Sequence, residues 1–185
     1  MPYSRSVEEL VDFPDRWVRP VAARMSPSHA AVADCPSGST SWDIQVDLAH
    51  FDVSEVLSDW ADWPLGQTTS FRFEFICLPI SAAGDLSNRT FRFPVNPEPG
   101  YVDGSIYLID EHHPADLTEL AFGRLSGGTI EAWFGVDVDF GGPGGAGFRN
   151  RRFQFTVPVG LPDSLLPSRS PAGSRRGDIA SRSAR

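Results

Sequence analysis

Trp42, Ile44, Val46 and Leu48 alternate with Asp43, Gln45 and Asp47, a period of two that marks a strand with one face buried and one wet. Phe71, Phe73, Phe75 and Cys77 repeat the pattern against Arg72, Glu74 and Ile76. The longest run covers 129–140. It sets Ile130, Ala132, Phe134, Val136, Val138 and Phe140 on one face and Glu131, Trp133, Asp137 and Asp139 on the other. Further strands are expected over 88–94, 105–110, 116–125 and 151–158, with a hairpin turn at Ser126-Gly127-Gly128. Val53, Val56, Leu57 and Trp60 fall instead at helical spacing. With Asp52 or Ser54 as a cap and Pro64 beyond, they predict one short helix.

About seven strands separated by turns predict a mainly β domain. The expected form is an antiparallel β-sandwich, with a partly open barrel as the alternative, carrying at most one or two short helices. The strands define a domain over 41–162. Residues 1–40, interrupted by Pro14, Pro20, Pro27 and Pro36, read as an irregular segment packing on it. From 163 to 185 the chain is rich in Ser, Arg, Gly, Ala and Pro. Such a composition buries too little to offset its ordering entropy, so a disordered tail is expected.

Charge sharpens this division. The net charge is −8, yet from Pro167 onward five arginines and Asp178 give +4, which leaves −12 on the preceding residues. An acidic body repels phosphates, which argues against nucleic acid and anionic membranes and for a basic partner. All sixteen basic residues are arginine, so lysine-based Schiff-base and P-loop chemistry is absent. No apolar run approaches a membrane span, and the first 25 residues, which hold Glu8, Glu9, Asp12 and Asp15 and lack an apolar h-region, do not read as a signal peptide. A cytoplasmic location follows, with Cys35 and Cys77 as free thiols.

Candidate chemistry is sparse. Asp110, Glu111, His112 and His113 suggest a metal or acid–base site, but adjacent residues in an extended chain point to opposite sides. Asp137 and Asp139, or Asp43 and Asp47, put two carboxylates on one strand face. Such pairs suit calcium or a hydrolytic acid and base, as well as a plain solvated face. Trp133 beside them suits an anchor for a basic or carbohydrate partner. The glycine-rich 141–147 segment lacks the Lys-Ser/Thr and the helix of a phosphate loop. No Gly-x-Ser-x-Gly elbow occurs. Asn88-Arg89-Thr90 and Arg176-Gly177-Asp178 carry meaning only in a secreted or extracellular protein.

The run Tyr101-Val-Asp-Gly-Ser-Ile-Tyr-Leu-Ile-Asp-Glu-His-His-Pro-Ala-Asp-Leu-Thr-Glu-Leu-Ala-Phe-Gly123 resembles a segment of small uncharacterised bacterial proteins of mainly β fold. Some of those families resemble the immunity and accessory proteins of toxin systems. The resemblance implies a β hairpin with structural Gly104 and Pro114 and names no catalytic residue. On the residues themselves, Ile106 and Leu108 share one face and Tyr107 and Ile109 the other. A turn is expected at His113-Pro114, in a strand central to the sheet.

The expectation is a protein without cofactor that binds a basic, toxin-like partner through an acidic face of Glu131, Trp133, Asp137 and Asp139. One alternative is a hydrolase using His112 or His113 with carboxylates such as Asp110. The other is a carbohydrate or small-ligand module built on Trp133.

Overall fold

Strong alternation makes strands, and strands need partners for every main-chain polar group. In the computed structural model, which describes residues 10–28, 35–54, 66–108, 111–141 and 148–167, ten strands meet that need. They are β1 (Pro20–Pro27), β2 (Thr40–Leu48), β3 (Phe51–Asp52), β4 (Gly66–Gln67), β5 (Ser70–Leu78), β6 (Thr90–Arg92), β7 (Asp103–Leu108), β8 (Glu111–Ser126), β9 (Thr129–Val138) and β10 (Arg151–Gly160). Seven of them close a ring in the order β1-β2-β5-β7-β8-β9-β10, antiparallel except where β10 returns to β1 in parallel. The short β6 pairs with the far half of β8, and β3 with β4 form a separate ribbon.

The architecture is therefore a closed barrel, where a sandwich was expected. Two features of the chain bring this about. The 16-residue β8 pairs with β7 at its start and with β9 along its length, so one curling sheet replaces two layers. The segment read as irregular supplies β1, which joins β2 to β10 and removes the free edges a sandwich would keep. At the other end of the domain, Asp163–Leu165 form a 3-10 turn with Leu165 buried, so ordered packing continues into the stretch assigned to the tail. Residues 168–185, most of the 53–60 helix and nearly all of the 141–147 loop lie outside the described residues. Among the described residues no helix is long and apolar enough to cross a membrane.

The lumen is filled. Phe71, Phe73, Phe134 and Phe155 stack across it with centroids 5.2–6.0 Å apart, which suits a seven-stranded barrel too narrow to hold a ligand. One end is plugged by the chain before β1. Phe13 sits at the centre of Trp17, Phe51, Phe140, Phe148 and Phe153, 5.1–6.0 Å from each. Gly104 lets β7 lie close to its neighbours: a Cβ there would collide with the Ala115 carbonyl and come within 2.7 Å of Phe73 Cδ1.

One strand departs from its sequence pattern. Trp42 pairs with Ile76 but Ile44 with Phe73, so Glu74 and Phe75 together face Asp43 in a β-bulge. Phe75 adopts φ 60°, a left-handed conformation that costs a bulky residue about 1–2 kcal/mol. Asp43 secures it by accepting the Phe75 N–H at 3.1 Å and the Ser28 hydroxyl. Beyond the bulge the alternation inverts. Ile76 and Leu78 are buried, while Phe75 and Cys77 turn outward and are only half-buried. Outside the barrel Cys77 meets Cys35, and the two form a disulfide with Cα atoms 5.5 Å apart, within the range such a bridge requires. The expected free thiols are thus a cystine.

The hairpin within the 101–123 segment is also displaced. Pro114 lies in β8 opposite Ser105, and the chain turns between Leu108 and Glu111. Tyr107 is 52% exposed, so β7 is apolar on its inner face only.

Candidate functional site

β9 keeps its phase from end to end: Ile130, Ala132, Phe134, Val136 and Val138 are buried and Glu131, Trp133 and Asp137 face outward. The indole of Trp133 lies along its own strand over Gly135, where a Cβ would come within 3.1 Å of Cη2. Ala121 and Thr156 flank Trp133 on β8 and β10, small residues that leave the ring room to lie down. The ring is half-buried and directed toward Asp137.

Asp137 stands between Asp116 on β8 and Arg152 on β10 in the pairing register. Arg152 grips it bidentately, Nε and Nη2 each 2.6 Å from a carboxylate oxygen, the strong geometry for this pair. Asp116 gains no such partner. Burial raises its pKa above the ordinary carboxylate value. A hydrogen bond from the Asn96 backbone works against the rise, and the charges of Asp137, Asp103 and Asp139 add to it. Asp139 accepts the Gly141 N–H at 2.8 Å. Four carboxylates from β7, β8, β9 and the residue after β9 thus share one outer patch beside Trp133. Like charges on neighbouring strands oppose folding, and one arginine offsets only part of that.

The structure therefore joins three of the four expected face residues, Trp133, Asp137 and Asp139. Glu131 lies opposite Pro158, six positions from Asp137, roughly 20 Å along the strand. Asp103 and Asp116 were missed because only cross-strand register brings them in; no spacing in the sequence signals it.

The histidines do not form a site. His113 is 2% exposed inside the barrel end, its ring centroid 5.3 Å from that of Phe140, whereas His112 is exposed with its ring edge-on to Tyr107. One strand sends them to opposite faces, as the alternation of side chains requires. Burial is the main cause that lowers the His113 pKa to about 4. The His112 charge acts the same way, against Asp139 and a hydrogen bond to Leu108. Nε2 has no partner, so Nδ1 is the nitrogen bonded to Leu108. Asp110 lies outside the described residues, and among those described no group of three or more His, Cys, Asp or Glu side chains is placed to hold a metal. The other carboxylate pair, Asp43 and Asp47, is committed to local partners: Asp43 to the bulge and Asp47 to Arg24 and Gln45.

Compared with protein-family models, with curated proteins and with solved structures, the chain matches none.

Proposed function

We propose that this chain is a non-enzymatic binding protein whose acidic outer patch receives a basic protein, in the manner of an immunity or accessory protein. The observation that carries the reading is the placement of Asp103, Asp116, Asp137 and Asp139 beside the flat indole of Trp133, with the Asp116 carboxyl held above its ordinary pKa. A guanidinium or ammonium from a partner would relieve the repulsion among these groups and cover an aromatic surface already fixed in place. Electrostatic complementarity of this kind sets association rate and register, and a seated aromatic supplies much of the affinity. The Cys35–Cys77 bridge favours an oxidising compartment over the cytoplasm expected for free thiols.

Native mass spectrometry of the protein isolated from its host tests the reading. The expected result is a basic protein held at fixed stoichiometry and lost from a variant carrying both Asp116→Asn and Trp133→Ala. A complex that survives both substitutions would move the interface elsewhere.

A further inference from the structure

The chain before β1 and β1 itself run parallel to β10 along its whole length: Val11 bridges Phe148 and Ala23 pairs with Val159. Between those points they make no bridge to β10, although β1 stays paired with β2 from Pro20 onward. Pro14, the 3-10 turn Asp15–Trp17, Pro20 and an irregularity in register between Pro20 and Ala22 hold them away from β10, which runs straight and pairs with β9 at every residue from Arg151 to Gly160. A cleft of about 440 Å³ results, lined by Asp15, Val18, Arg151, Arg152, Phe153 and Gln154.

Pro158 fixes which main-chain groups face this cleft. Proline has no N–H, so within a strand its backbone nitrogen belongs on the side that makes no ladder. Successive residues turn their main-chain groups to opposite neighbours. With Pro158 facing the seam, Thr156, Gln154 and Arg152 face it too. Among the described residues, β1 pairs with β10 only at Val159 and Gly160. The N–H and C=O of Arg152 and Gln154 therefore line the cleft without a strand partner, and by the same alternation those of Thr156 continue the edge beyond it.

The edge has a charge of its own. Arg149, Arg151 and Arg152 cluster at the start of β10 in a body of net charge −12. Two of their counter-ions, Asp12 and Asp15, sit on the displaced segment with side chains 71% and 77% exposed. Arg151 is itself only 32% exposed and donates to the Phe13 carbonyl at 2.7 Å, so the exposed Asp15 is the half of the pair that can be exchanged.

We propose that this seam accepts an extended, carboxylate-bearing segment of a partner protein as an added strand. Its main chain pairs with Arg152, Gln154 and Thr156, and a carboxylate takes the place of Asp15 on Arg151. Main-chain pairing supplies the affinity and the arginines the selectivity, as in other strand additions. The seam adjoins the acidic patch at Arg152, whose side chain stays on Asp137, and asks for the opposite charge.

The test uses the full-length protein with two capped pentapeptides, one alternating threonine and glutamate, the other with lysine in place of glutamate. In the free protein the amides of Gln154 and Thr156 should exchange with solvent quickly while those of Phe153 and Phe155 are protected. The glutamate peptide should slow the first pair and bind at least about tenfold more tightly than the lysine peptide. Gln154→Pro, which deletes a seam donor and spares the β9 ladder, should weaken the glutamate peptide by about tenfold, the worth of one hydrogen bond. Should that variant fail to fold, the exchange data on the natural chain decide. Protection of Gln154 and Thr156 in the free protein, absence of binding, equal binding of both peptides or indifference to Gln154→Pro would each overturn the proposal.

Discussion

β9 and β5 carry nearly the same pattern of alternating apolar and polar residues and end with different outcomes. β9 holds one phase throughout, so its inner residues build the core and its outer ones build the acidic patch. β5 holds its phase only to Phe73; past the bulge at Phe75, Ile76 and Leu78 turn in and Cys77 turns out. Alternation thus tells where a strand is, and one left-handed residue decides which half of it faces the core. The inverted half is also what allows the bridge. In the unbroken phase Cys77 would share the inner face with Phe71 and Phe73, out of reach of Cys35.

The contrast can be broken most forcefully at matched phenylalanines. Phe134→Ala in β9 and Phe73→Ala before the bulge should each cost about 3–5 kcal/mol of unfolding free energy in denaturant titration, because both rings belong to the lumen stack. The bridge comes next. It closes 42 residues of separation, and reducing it should lower stability by about 4 kcal/mol on a chain-entropy account. A chain whose thiols alkylate without reductant would contradict the outward turn of Cys77.

His113, on the inner face near the plugged end, sharpens the picture through pH. Its native pKa of about 4 lies below the ordinary value of 6.5, so the folded state favours the neutral ring. Its contribution is fully present above pH 6.5 and is lost as pH falls toward 4. Unfolding followed across that window should show the loss, and His113→Gln should flatten it.

On the outer face, Trp133→Ala should weaken partner binding by more than about 1 kcal/mol in calorimetry while leaving the fold intact. The smallest effect belongs to Phe75→Ala. Its ring is outside the core and its φ of 60° is strained for a bulky side chain, so denaturant titration should show a loss below about 1 kcal/mol. A loss equal to that of Phe134→Ala would restore the unbroken phase.

The sequence made the strands legible because amphipathic alternation is local: β2, β9, the β8–β9 hairpin at Gly127 and Gly128, both with positive φ, and the inward set of β9 all follow from it. Closure was not legible. It depends on β1, whose buried residues are only Ala23 and Met25, too faint a signal among four prolines. The bulge depends on Asp43, a residue 32 positions away from the Phe75 N–H it accepts. The candidate patch was half legible for the same reason. Trp133, Asp137 and Asp139 share a strand, whereas Asp103 and Asp116 join them only through register.

Whether those carboxylates share one field is most directly read from the titration of Asp116 by carboxyl-carbon NMR, in the natural chain and in Asp137→Asn. The account predicts a pKa above the ordinary aspartate value that moves down when the Asp137 charge is removed. An ordinary value, unmoved by the substitution, would contradict the shared patch and the binding face built on it.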